Sequence, residues 1–125
     1  MEGYSVEIVK SSEELRGKAK IQMKDTSDAI KLDEATNNGA TLEFKPVKWA
    51  VLKIHNEKSD DKEYLNYVIV DNEGHKYVTG SNSFWEAFIG IYEDMEGEDE
   101  EWAVKVYRLP SKNYKGKELI TCSII

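Results

Sequence analysis

Apolar and polar residues alternate along most of the last two-thirds of this chain, and each change of period marks an element. Val47, Trp49 and Val51 alternate, after which Leu52 and Ile54 carry the apolar side. That change of phase predicts a strand over Pro46–Asn56 with a bulge, or one that serves both faces of a barrel. Leu65, Tyr67 and Ile69 oppose Val68 and Val70, which predicts a second strand over Glu63–Asp71, apolar on both sides near its end. Asp71, Asn72, Glu73 and Gly74 form a hairpin turn with glycine where a positive φ is needed, and 75–80 pairs back. The period then lengthens. Phe84, Phe88, Ile91 or Tyr92, and Met95 recur at helical spacing, with Trp85 and Ile89 widening the stripe. Ser83, Phe84, Trp85 and Glu86 match a capping box, so the helix is predicted over 84–96 with Gly97 just past its end. Alternation returns at Trp102, Val104 and Val106 against Ala103, Lys105 and Tyr107, predicting a strand over 102–109. It returns again at Leu119, Thr121, Ser123 and Ile125 against Ile120, Cys122 and Ile124, predicting one over 117–125.

The first 45 residues carry a weaker pattern. Val6 and Ile8 suggest a short strand. Residues 18–24 alternate Ala19, Ile21 and Met23 with lysines and Gln22, which predicts an extra strand. A short helix is expected over 26–35, capped at Thr26 or Ser27, and Asn37, Asn38 and Gly39 signal a turn. The expected fold is mainly β: a five-stranded OB-fold-like Greek-key barrel with one helix between strands three and four, plus an N-terminal extension. At 125 residues the chain is read as one domain, with 46–125 the barrel core and 1–45 the extension or an additional strand and short helix.

Charge sharpens this picture. The net charge of −7 argues against a nucleic-acid partner until its distribution is examined. Glu93, Asp94, Glu96, Glu98, Asp99, Glu100 and Glu101 crowd into one segment, and without them the chain has 17 acidic and 17 basic residues. Beyond them, Lys105, Arg108, Lys112, Lys115 and Lys117 face Glu118 alone. An acidic knob and a basic end are expected at different places on the surface. No 18-residue apolar run is present, so no membrane partner is expected. The single cysteine and the lack of a signal-like start fit a reducing, cytoplasmic setting.

Two features suit a binding surface. The turn 111–117 joins Lys112, Lys115 and Lys117 to Asn113 and Tyr114, a combination that neutralises phosphates and offers a flat ring to a base. The same residues also suit a solvated turn. Trp49, Tyr64, Tyr67, Tyr77, Trp102 and Tyr107 fall in predicted strands, near Lys48, Lys53, Lys105 and Arg108. Exposed rings stack bases; barrel core is the better assignment for at least half of these. Tyr107 shares a face with Lys105 and is assigned outward, Trp102 is assigned to the core, and Trp49 and Tyr77 are open between the two. The nucleic-acid-binding set is thus Trp49, Lys53, Tyr67, Tyr77, Lys105, Tyr107, Arg108, Lys112, Tyr114 and Lys115. The acidic segment from Glu93 to Glu101 reads as a solvated loop, with partner docking, DNA mimicry or metal binding as the sharper alternatives; it lacks the spacing of a calcium loop. His55 and His75 stand far apart without further ligands nearby, and Cys122 alternates with buried positions. No catalytic constellation, cofactor motif or metal site is read, so an enzyme is not expected.

Residues 80–95 (GSNSFWEAFIGIYEDM), followed by WAVKVYRLPSKNYKGKELITC, resemble the small single-stranded DNA-binding proteins of tailed bacteriophages and prophages. Thr79, Gly80 and Ser81, the Phe84/Phe88 pair, the lysine-bearing hairpin 112–117, and Leu119 to Cys122 carry the resemblance, which covers about residues 46–125. It implies an OB-fold that coats single-stranded DNA in replication or recombination, in a bacterial host's cytoplasm. Many such proteins end in an acidic recruiting tail; this sequence ends Thr121, Cys122, Ser123, Ile124, Ile125. The other reading is an acidic interaction module or phage-encoded inhibitor acting through the carboxylates between Glu93 and Glu101. Self-association is left open by both.

Overall fold

The computed structural model describes residues 3–58, 62–110 and 116–125. The chain runs β1 (Tyr4–Ser11), α1 (Gly17–Lys24), β2 (Ile30–Lys31), α2 (Leu32–Ala35), β3 (Leu42–Phe44), β4 (Pro46–Asn56), β5 (Glu63–Asp71), β6 (Lys76–Thr79), α3 (Asn82–Met95), β7 (Val104–Pro110) and β8 (Glu118–Ile124). The fold is mainly β, with strands in two sheets of order β1-β4-β5-β6-β2 and β3-β7-β8. The strands and helix expected after residue 45 all form, with bounds shifted by at most two residues.

The phase change in β4 has a direct structural cause. Trp49 and Val51 point into a core shared with Tyr67, Ile69, Phe84, Phe88, Val104 and Val106. Ala50, Leu52 and Ile54 point the other way, into a second cluster with Met23, Val68 and Val78. Both faces of the strand are therefore dry. Only Lys45 separates β3 from β4, so a single bent ribbon enters both sheets: Leu42–Phe44 pairs with β7, and Pro46–Asn56 pairs with β1 and β5.

The N-terminal segment accounts for the second cluster, and here two expectations fail. Residues 18–24 form a helix, not a strand. Alanine, lysine, glutamine and methionine all favour helix, and an isolated alternation cannot become a strand without a ladder partner. Gly17, at φ +55, turns the chain in; Met23 alone in α1 is buried, while Ile21 is 68% exposed. The ammonium of Lys76 donates to the carbonyls of Gln22 and Asp25, satisfying groups at the helix end. The helix expected over 26–35 shrinks to α2, because Ile30 and Lys31 run parallel to Tyr77 and Val78 of β6 instead. The chain between β1 and β2 thus crosses from one edge of the larger sheet to the other.

Two further corrections concern the barrel. Three α-helices form among the described residues: α3 in the expected place between the third and fourth strands of the expected barrel, and two in the N-terminal segment, where one short helix was expected. The strand pairing does not close: β6 has β2 as its outer neighbour and β8 pairs with β7 alone. α3 packs along β8 with Phe84 and Phe88 fully buried, and Leu32 of α2 joins the same core. The helix cap also differs. Ser81, not Ser83, accepts the Phe84 amide at 3.2 Å, since the helix begins at Asn82. Ser83 instead donates to the Ile120 carbonyl at 2.8 Å, tying α3 to β8. Gly97 does take up a left-handed conformation (φ +86) just past the helix.

Candidate nucleic-acid interface

Strand parity decides which nominated residues face solvent. Along β7, Val104 and Val106 point inward and are fully buried; opposite them in register, Ile120 and Cys122 of β8 are buried too. Lys105, Tyr107 and Leu109 therefore lie on the outer face, as do Leu119, Thr121 and Ser123. Register sets Lys105 between Glu43 of β3 and Ser123 of β8, Tyr107 against Thr121, and Leu109 against Leu119. The Tyr107 and Ser123 hydroxyls share a hydrogen bond at 2.6 Å. Ser123 is a diagonal neighbour, not the residue directly opposite, so the phenol leans across the sheet. Leu109 and Leu119 are 49% and 47% exposed. Lys105 and Tyr107, expected to share an outward face, do so.

Most other nominated side chains are committed elsewhere. Trp49 is buried, in edge contact with Trp85 at 5.2 Å and Tyr92 at 6.3 Å between centroids. Tyr67 is buried and stacked on Trp85 at 4.7 Å, its hydroxyl donating to Asn82 at 3.4 Å. Tyr77 is buried and stacked on Phe44 at 4.2 Å, and donates to the Asp71 carboxylate at 2.7 Å. Burial and that bond raise its pKa far above the usual phenol range. These three rings cannot stack a base. They are core because each stands at an inward position of a two-faced strand, which alternation cannot distinguish from an outward one. Lys53 is exposed and pairs with Glu63 at 3.1 Å, which raises its pKa. Arg108 donates from Nε to Thr36 Oγ1 at 3.0 Å and from Nη2 to the Asp33 carbonyl at 2.5 Å, so it braces the end of α2. Lys112, Tyr114 and Lys115 lie outside the described residues.

Three other places suit a nucleic acid or a reaction less well. A cavity of about 450 Å³ lies over the Phe44–Tyr77 stack, but its charged lining includes Glu43, Asp71 and Glu73, which repel phosphate. A second, of about 400 Å³, lies between α1 and the β5–β6 hairpin with Lys48 and Lys76 in its wall; Lys76 is occupied by backbone carbonyls, and Lys48 stands 3.9 Å from Glu13. Cys122 is buried, which pushes its thiol up to about 12 and leaves it unreactive as a nucleophile near neutrality. No group of three metal-ligating side chains occurs among the described residues. Among them, too, no helix is long and apolar enough to cross a membrane. Sequence reading nominated neither Leu109, Leu119, Thr121 nor Ser123. Their parity with Lys105 and Tyr107 was the available signal.

No protein-family model, curated protein or solved structure matches this chain.

Proposed function

We propose that the chain is a non-catalytic single-stranded DNA-binding protein that contacts its ligand with the outer face of β7 and β8. The observation that carries this reading is the outward grouping of Lys105 and Tyr107 with Thr121 and Ser123 on the paired strands β7 and β8, between which the sequence carries Lys112, Tyr114 and Lys115. A cation holds phosphate and a ring stacks a base without regard to its identity. The strand order supports an OB-type barrel in open form: a three-stranded meander β4-β5-β6, a helix, then a hairpin that returns to the same bent ribbon. In such barrels the loop between the last two strands flanks the binding groove. The resemblance to bacteriophage proteins adds replication or recombination in a bacterial cytoplasm as the setting.

A second reading rests on the acidic segment. Glu93, Asp94, Glu96, Glu98, Asp99, Glu100 and Glu101 are all exposed, and among the described residues only Glu101 of these is in an ion pair, 3.8 Å from Lys45. Such a segment suits docking on a basic partner. Titrating a labelled 30- to 40-nucleotide oligo-dT at low and physiological salt separates the two. Single-strand binding predicts an affinity that falls with salt, with a log–log slope of about −0.7 per phosphate neutralised. No binding at low salt by folded protein overturns it.

A further inference from the structure

The outer face of β7 and β8 exposes more apolar surface than the fold requires. The inward side of this hairpin already buries Val104, Val106, Ile120 and Cys122. Yet Leu109 and Leu119 stand directly opposite one another on the outside, each about half exposed, next to Tyr107 and Thr121. Cross-strand neighbours on one face touch, so the two leucines form one patch, one same-face step along the strand from Tyr107. Tyr107 is held by Ser123 in addition. A free tyrosine on a strand rotates about χ1. Tethered to Ser123, the residue opposite Lys105, the Tyr107 ring leans across the sheet toward the Lys105 row, half-buried and turned away from the leucines.

We propose that Ser123 is a positioning residue, whose hydroxyl holds the Tyr107 ring flat so that the ring and the Leu109–Leu119 pair seat two consecutive, unstacked bases of a single strand. This rests on the single-strand reading above and assigns the base-contacting part of that surface. The spacing supports it. Residues two apart on one face of a strand lie about 6.8 Å apart. The Ser123 tether carries the ring further from the leucines than this, so the two seats are separated by more than twice the roughly 3.4 Å rise between stacked bases in duplex DNA. Bases seated on Tyr107 and on the leucine pair must therefore be pulled out of stack, which a duplex resists. Lys105, two residues before Tyr107 on the same face and opposite Glu43, is placed for a phosphate of the same strand.

The test is oligo-dT titration by fluorescence anisotropy, alongside thermal melts and salt series. Tyr107→Ala should weaken binding roughly 5- to 150-fold, the span of one lost stacking partner. Ser123→Ala should weaken it by about 2- to 12-fold, the cost of ordering one side chain on binding. Its salt slope should match wild type, because no phosphate contact is lost, whereas Lys105→Glu should flatten the slope. Ser123→Thr keeps a hydroxyl and should restore affinity. Tyr107→Phe should match Ser123→Ala, and the double variant should be no worse than either; this arm stands even if Ser123→Ala folds poorly. Leu109→Ala and Leu119→Ala should weaken binding without changing the slope, and duplex of equal length should compete poorly. If wild type binds but Ser123→Ala and Tyr107→Phe bind as wild type, the positioning role is overturned. If Tyr107→Ala and the leucine variants also bind as wild type, the platform is overturned while the functional reading stands. If wild type binds no single strand, both fall.

Discussion

Asp71 stands at the foot of the β5–β6 hairpin with both carboxylate oxygens in use. Oδ1 accepts the amides of Glu73 at 2.9 Å and His75 at 2.8 Å; Oδ2 accepts the Tyr77 hydroxyl at 2.7 Å and faces His75 Nδ1 at 3.3 Å. Burial acts to raise the pKa of this carboxyl, but the hydrogen bonds to its ionised form outweigh it and hold the pKa below the ordinary range. The unfolded chain takes up that proton at a higher pH. The stabilisation is therefore fully present above the unfolded value of about 3.9 and is lost as pH falls through the lower folded value. Asp71→Asn should cost about 1.5–3 kcal/mol at pH 7, the range for hydrogen bonds to a charged group. Urea melts at pH 7 and pH 3 check this: the gap between variant and wild type should narrow at pH 3.

α3 combines what the sequence made legible with what it hid. The apolar stripe identified Phe84 and Phe88, and both are fully buried. The cap was misassigned because three serine or asparagine residues (Ser81, Asn82 and Ser83) precede the stripe, and only the partner of Ser83, the Ile120 carbonyl on a strand 37 positions away, separates them. Ser81→Ala should cost about 1 kcal/mol through the lost cap, and Phe88→Ala about 3–5 kcal/mol. Both should leave the affinity of the folded fraction for oligo-dT unchanged, which melts and titrations on the same samples check. Strands from β4 onward were legible because their alternation is reinforced by turn residues such as Asp71 and Gly74. Residues 17–31 were not, because their apolar content is slight and their conformation is set by distant groups: Lys76 at the end of α1, and Tyr77 and Val78 beside β2. The site was legible only on its outward half. The rings of Trp49, Tyr67 and Tyr77 are chemically suited to stacking, but burial on a strand with two dry faces is a property of the whole fold.

Across the molecule, charge is arranged along β7. The acidic segment ends at Glu101, shortly before the strand begins at Val104; the strand then runs to Pro110, and Lys112 and Lys115 follow it in the sequence. Six steps at about 3.3 Å separate the strand's ends by roughly 20 Å, about two screening lengths at 0.1 M salt. Lys105, however, stands at the near end, four residues after Glu101, so replacing Glu98, Asp99, Glu100 and Glu101 by their amides should leave oligo-dT affinity unchanged or tighten it modestly, with the larger effect at low salt. Loss of binding in that variant, measured in the same titration, would show that the segment contributes to the site directly.

The bent ribbon 42–56 also governs the order in which this chain can become ordered during synthesis. β1 has no partner until β4 has been made, β2 none until β6, and β3 none until β7. Each early element waits for one made later, so pairing proceeds backwards along the chain. Contacts of such wide sequence separation impose a slow search, on the millisecond-to-second scale typical of β-rich topologies. At a synthesis rate of about 5–20 residues per second, the roughly 60 residues between β3 and β7 hold the nascent chain open for several seconds. The last hairpin, where the proposed strand-binding face lies, is then also what locks the ribbon, so a nascent chain gains the proposed binding surface and its finished fold in the same step.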